Sequence, residues 1–149
     1  MSAPLLLVED SDPDAQALER IARRLPLPVP VVRVSDGESA LDYLYQRGAY
    51  TEARKPCLIL LDLHLPGIGG REVLTTLKAD PRLRPIPVII FSSSQDVEDV
   101  DGAYADGANS YLFKPQIGPQ LQATADALYA FWFQAARLPR LPAPEGQRA

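Results

Sequence analysis

The segment LLLVEDSD, residues 5–12, runs four apolar residues into the carboxylates Glu9, Asp10 and Asp12. LILLDLHLPGIGG, beginning at Leu58, does the same with Asp62, at the point where an apolar run breaks into a Pro/Gly loop. Two further apolar runs end in Ser92-Ser93 and in Lys114-Pro115. Carboxylates about 4 Å apart repel by about 4 kcal/mol per pair at an effective dielectric near 20. Convergence of Glu9, Asp10 and Asp62 therefore calls for counter-charge. Lys114 supplies one positive charge against three negative ones, and a divalent cation supplies the rest. Mg²⁺, or Mn²⁺ in its place, suits a hard, all-oxygen donor set with few protein ligands. An exposed carboxylate beside such a cation can attack a phosphoryl group and form an aspartyl phosphate, while the metal neutralises and orients the phosphoryl oxygens. In that chemistry Asp62 is the nucleophile, Ser92 donates a hydrogen bond to one phosphoryl oxygen, and Lys114 pairs with another.

These residues meet only if the chain folds so as to bring the ends of the runs together. Five short apolar runs are read as strands, at 4–9, 29–34, 57–62, 87–91 and 110–113. The first, third and fourth are nearly unbroken Leu, Ile and Val, as in strands covered on both faces. Helical patterns separate them. Ser11 or Asp12 caps the first helix, with Pro13 in its opening turn and Ala17, Leu18, Ile21, Ala22 and Leu25 at helical spacing. Ser35-Asp36-Gly37 opens a second, residues 70–78 a third, about 95–105 a fourth and about 118–136 a fifth. Strand and helix thus alternate five times, which predicts an α/β fold with a parallel sheet, right-handed crossovers and helices on both faces. Ligands of such sheets bind at the carboxyl ends of the strands, where all the candidate residues lie.

The totals narrow the classes. With 149 residues the chain has the size of one domain. A net charge of −4 argues against general nucleic-acid binding. No apolar run approaches the ~20 residues of a membrane span, and no signal peptide is visible, so a cytoplasmic location is expected, with no membrane partner. The single cysteine, Cys57, excludes an internal disulfide and reads as a small buried hydrophobe. The only histidine, His64, reads as a solvated loop side chain. The Pro/Arg-rich end, 137–149, has little to bury and is expected to be a flexible tail on a domain spanning 1–136.

Taken in order, Glu9-Asp10, Asp62 with Pro66 and Gly70 behind it, Ser92, and Lys114-Pro115 resemble the receiver domain of two-component response regulators over residues 4–134. The resemblance implies a flavodoxin-like doubly wound (βα)5 fold with strand order 2-1-3-4-5. It implies a phosphoacceptor, Asp62, charged by a histidine kinase, in a protein that catalyses only its own phosphoryl transfer and dephosphorylation. Mg²⁺ would be held by Asp10, Asp62 and the backbone carbonyl of His64, with Glu9 reaching it through water. Ser92 and Tyr111 match the family's switch pair, in which the hydroxyl moves toward the phosphoryl group and the aromatic ring turns inward behind it. Glu9 stands where Asp is commoner, and His64 and Ser94 occupy positions that tune phosphate lifetime in the family. DGESALDYLYQRGAY, LPGIGGREVLTTLKAD and ALYAFWF further resemble single-domain regulators found with phytochrome-type sensor kinases, which implies no attached output domain, a light-sensing kinase as partner, and homodimers.

Three other readings compete. A haloacid-dehalogenase-type phosphatase would carry Asp-x-Asp at its nucleophile, whereas Asp62 is followed by Leu63-His64. A flavodoxin-like flavin protein would need a Ser/Thr/Gly-rich phosphate loop after the first strand, where EDSDPD would repel phosphate. A phosphorylation-independent pseudo-receiver would lack the intact set Asp10, Asp62, Ser92 and Lys114. The last helix adds a separate feature. Leu121, Ala125, Leu128 and Trp132 form one stripe, enough to pack on the sheet, while Tyr129, Phe131 and Phe133 fall on other sides. An amphipathic helix is not expected to be aromatic nearly all round, and such surface marks interfaces. Tyr129, Phe131, Trp132 and Phe133 are therefore expected at a dimer contact, the alternative being that the Pro-rich end folds back over them.

Overall fold

Every residue of three strands is buried: β1 (Leu5–Val8), β3 (Leu58–Leu61) and β4 (Val88–Ser92). That is why their sequences are unbroken Leu, Ile and Val rather than alternating. In this computed structural model, which describes residues 3–116 and 118–141, they form the centre of a five-stranded parallel sheet ordered β2-β1-β3-β4-β5. The edges are β2 (Val31–Val34) and β5 (Ser110–Phe113), both only partly buried. β2 is shorter than its apolar run because Pro30 has no N–H to give the ladder; its carbonyl instead accepts from the Leu5 N–H at 2.9 Å. The register pairs Leu7 with Arg33 and with Leu60, and Ile90 with Leu61 and Tyr111, which brings the carboxyl ends of β1, β3, β4 and β5 to one edge.

Helices α1 (Asp12–Arg24), α2 (Gly37–Leu44), α3 (Gly70–Ala79), α4 (Val97–Ala105) and α5 (Gly118–Tyr129) follow the strands in turn. Ser11 caps α1 by accepting from the Asp14 N–H, and Asp36 caps α2 by accepting from the Ser39 N–H. The core lies in two layers. One includes Leu6, Val8, Ile59, Leu61 and Ile90 from the sheet with Leu44, Val73, Leu74 and Leu77 from α2 and α3. The other joins Leu5, Leu7, Leu58, Leu60, Ile89 and Phe91 to Ala15 and Leu18 of α1 and Leu121 and Leu128 of α5. Cys57 is buried in this second layer.

The fifth helix differs from its sequence pattern. It is an α-helix only to Tyr129 and then widens into a π turn over Ala130–Ala135, where the Ala136 N–H reaches the Phe131 carbonyl, five residues back, at 2.7 Å. The widening brings Leu128, Trp132 and Phe133 together onto the second layer, so Phe133 does not fall on another side. Leu138 joins the same layer, and Leu141 packs on the first; residues 142–149 lie outside those described.

Candidate functional site

Each strand of the site ends by turning a polar residue out of the core. Ladder hydrogen bonds carry one residue past β1 and β3: the Glu9 N–H donates to the Val34 carbonyl and the Asp62 N–H to the Val8 carbonyl, each at 3.1 Å. Ser92 closes β4, and the Lys114 N–H donates to its carbonyl at 2.7 Å. The backbone ladder therefore delivers Glu9, Asp62, Ser92 and Lys114 to one place. Glu9, Asp62, Ser92 and Lys114 are all buried there, and Asp10 is exposed.

Lys114 is the hub. Its Nζ lies 2.6 Å from Glu9 Oε1, 3.2 Å from Asp62 Oδ2 and 3.2 Å from Asp14 Oδ2. With its side chain only 9% exposed, burial works against the ammonium, but the Glu9 hydrogen bond and the charges of Asp62 and Glu9 outweigh it and hold the lysine charged. Glu9 is 1% exposed, and burial pushes its carboxyl up from the ordinary 4.5 to about 7; the Lys114 hydrogen bond opposes this shift and the Asp62 charge adds to it. Glu9 Oε2 also accepts from the Ser11 N–H at 3.2 Å. From behind, Arg33 donates through Nε and Nη2 to the Glu9 carbonyl at 3.0 and 2.8 Å.

The three carboxylates expected at the metal come together. One carboxylate oxygen from each of Glu9, Asp10 and Asp62 lies within 4.8 Å of the others. This hard-oxygen set, half open to solvent through Asp10, fits a small divalent cation that keeps several waters. On the other side of Asp62, Oδ1 faces the His64 N–H at 3.4 Å. The His64 imidazole is 63% exposed and stands 3.6 Å from Asp99 Oδ2. Ser92 Oγ accepts from the Ser94 N–H at 3.1 Å, which leaves the Ser92 hydroxyl proton available to donate. Tyr111 Oη donates to the Ser94 carbonyl at 2.8 Å, and Ser94 Oγ donates to Asp99 Oδ2 at 2.6 Å. The candidate switch residues Ser92 and Tyr111 are thus joined through a single residue, Ser94.

Sequence reasoning missed Asp14, Arg33 and Asp99. Asp14 was legible as part of EDSDPD, one turn into a helix that starts at the site, and Arg33 as the one charge in the strand VVRV. Asp99 gave no signal, because its place depends on how α4 leans over the loop after β4.

The aromatic end of α5 divides. Trp132 and Phe133 pack on the second core layer, and Tyr129 Oη faces the Pro26 carbonyl at 3.4 Å. Phe131 is 56% exposed, and with Val97, Tyr104 and Phe113 it places apolar surface on α4, β5 and the π turn after α5.

A parallel 2-1-3-4-5 sheet thus carries an acidic cluster and a buried lysine at its carboxyl edge. The response regulator receiver domain model matches residues 5–126, and the chain belongs to that family. The response regulator Rcp1 of Synechocystis sp. is 35% identical over 135 residues, covering 91% of this chain and 92% of its own length. The Mn²⁺-bound crystal structure of response regulator Rcp1 superposes with a TM-score of 0.89, over 93% of this chain and all of the chain in that structure. The phosphorylated cyanobacterial phytochrome response regulator RcpA, 38% identical, also gives 0.89, covering 94% of this chain and all of RcpA. The probable methanogenesis regulatory protein FilR2 of Methanothrix harundinacea is 36% identical over 137 residues, covering 91% of this chain and 86% of its own. The family is one of two-component signalling, and among the described residues no helix is long and apolar enough to cross a membrane.

Proposed function

We propose that this chain is a receiver that accepts a phosphoryl group on Asp62 from a histidine kinase, in a reaction that requires Mg²⁺ or Mn²⁺. The observation that carries the reading is Lys114 Nζ bridging Glu9 and Asp62 at 2.6 and 3.2 Å beside the three clustered carboxylates. An Asp62 oxygen attacks phosphorus, the new O–P bond forms, and the bond to the donor's imidazole nitrogen breaks in line. Lys114 turns from the Asp62 carboxylate toward the arriving phosphoryl oxygens, and Ser92 donates its free hydroxyl proton to another. Asp10, Asp62, the His64 carbonyl and, through water, Glu9 would hold the cation, which would supply positive charge to neutralise the phosphoryl oxygens. The phosphoryl group adds about −1.5 to −2 charge at Asp62. As Ser92 Oγ moves toward it, the Ser94 N–H loses its acceptor, and Tyr111, bonded to the Ser94 carbonyl, responds with it. The face formed by α4, β5 and α5 is then reshaped.

Several finer readings go with this one. The receiver unit spans 1–136, and the chain after it starts by laying Leu138 and Leu141 on the two core layers. The protein acts in the cytoplasm as a homodimer whose contact includes the aromatic end of α5, with Phe131 outermost. Its kinase is of phytochrome type. The likeness to the phytochrome response regulator RcpA supports that partner.

Intact-mass measurement after incubation with acetyl phosphate tests the core of the reading. One phosphoryl adduct is expected on the wild type with Mg²⁺, and none without Mg²⁺ or on Asp62→Asn. A folded wild type that takes up no phosphoryl group would favour a phosphorylation-independent interaction module.

A further inference from the structure

Asp10 is the exposed member of the carboxylate cluster, and among the described residues no hydrogen bond reaches its side chain. Its direction is therefore set by the backbone it leaves. That backbone is gripped from two sides. In front, the Glu9 side chain is tied to Lys114 and to the Ser11 N–H. Behind, the guanidinium of Arg33, on the edge strand β2, takes the Glu9 carbonyl in a two-donor fork and places Nη1 2.8 Å from Asp12 Oδ1 at the first turn of α1. The Glu9 carbonyl belongs to the peptide plane that carries the Asp10 N–H. The two N–H···O bonds converge on one carbonyl oxygen and restrain its position from two directions, while the ion pair with Asp12 anchors the same guanidinium to the start of α1. The guanidinium side chain is only 23% exposed, so solvent screens this grip only partly.

We infer that Arg33 is a positioning residue for the metal site: its fork on the Glu9 carbonyl and its ion pair with Asp12 hold the loop after β1 so that Asp10 meets Asp62 around the cation. The inference rests on the proposed Mg²⁺ site. It also makes a prediction whose sign opposes simple electrostatics. A guanidinium beside a cation site repels the cation, so on charge alone its removal would tighten Mg²⁺ binding. As a positioning residue, its removal loosens the loop and weakens binding. Groups that orient metal ligands typically cost 10–100-fold in metal affinity when removed.

The experiment is calorimetric titration of the whole chain with Mg²⁺ for the wild type, Arg33→Met and Arg33→Lys, alongside Asp10→Asn. Thermal unfolding without Mg²⁺ checks the fold of each. Both Arg33 variants are expected to bind Mg²⁺ at least about tenfold more weakly, since lysine keeps the charge but cannot form the fork. The Mg²⁺ concentration giving half-maximal phosphoryl uptake should rise by the same factor, with the rate at saturating Mg²⁺ little changed. Tighter binding in Arg33→Met with Arg33→Lys unchanged would assign Arg33 a charge effect only and overturn the inference, as would unchanged affinity in both. If Arg33→Met does not fold, Arg33→Lys decides alone. A wild type that binds no Mg²⁺, or an Asp10→Asn variant that binds as well as the wild type, removes the metal reading beneath the inference and is told apart from failure of the Arg33 step.

Discussion

Replacing Lys114 with Met keeps the stem and deletes the charge at the centre of the site. At 2.6 Å from Glu9 and 3.2 Å from Asp62, the ammonium gains about 6 and about 5 kcal/mol of Coulomb attraction at an effective dielectric near 20. Much of this is offset by the desolvation of three groups that are each less than one-tenth exposed. Without the lysine, Glu9 and Asp62 face each other uncompensated, a repulsion of about 4 kcal/mol at ~4 Å. Removal of one partner from a buried pair costs about 3–5 kcal/mol, and a loss of that size is expected at pH 8 without divalent cations. The deficit should depend on pH in a fixed direction. Glu9 is already raised to about 7 from 4.5 by burial, and loss of the Lys114 hydrogen bond raises it further. A carboxyl with a raised folded pKa stabilises the folded state below its unfolded pKa, and that contribution disappears as pH rises through the folded one. The variant therefore recovers at pH 5, where Glu9 is protonated in both proteins, and the deficit should fall to less than about half its value at pH 8. Mg²⁺ should stabilise the variant more than the wild type, because it replaces the missing positive charge. Urea unfolding at pH 5 and pH 8, with and without Mg²⁺, measures all three. A deficit below about 1 kcal/mol at pH 8, or one equal at both pH values, refutes the account of Lys114 as the counter-charge.

Two further outcomes follow from packing. A Cβ at Gly70 would collide with the Asp62 carbonyl and lie 2.7 Å from Leu63 Cα, both backbone, so Gly70→Ala must push α3 away from the end of β3. A loss of about 1–3 kcal/mol and slower phosphoryl uptake are expected, by urea unfolding and intact mass; an unshifted midpoint with wild-type uptake contradicts the close approach. Phe131 is 56% exposed, so Phe131→Glu should change stability by no more than about 0.5 kcal/mol and yet abolish self-association in sedimentation velocity. Unchanged association would move the dimer contact away from the end of α5.

The site was legible in the sequence for a physical reason. Strands buried on both faces are written as unbroken apolar runs, so the first polar residue after each run marks the sheet's carboxyl edge. Glu9, Asp62 and Lys114 follow their strands directly, and Ser92 is the last residue of its own. Strand order came from family resemblance, because a row of similar apolar runs does not say which strands are neighbours. What stayed hidden depends on direction rather than type. Arg33 reads as an edge-strand charge until the register places it beside Leu7, two residues before Glu9. Asp14 becomes a partner of Lys114 only when α1 and β5, 100 residues apart in sequence, are brought together. The π turn in AFWFQA leaves no mark in composition, since neither Gly nor Pro is needed to form it; the gain is that Trp132 and Phe133 reach the same layer.

The sequence distances within the acidic site bear on the order in which it is made. Glu9 and Asp62 belong to the first half of the chain, yet the lysine that compensates them is 105 and 52 residues further on, just beyond the last strand. During synthesis a chain can pair β1 with β3 while β5 is still unmade, because domains emerge N-terminal part first. Over that interval Asp62 exists without its counter-charge, and closing the site costs the entropy of a long loop. On the function proposed above, phosphoryl uptake at Asp62 waits until the far edge of the sheet has docked, and competence to be phosphorylated would double as a report that folding has finished.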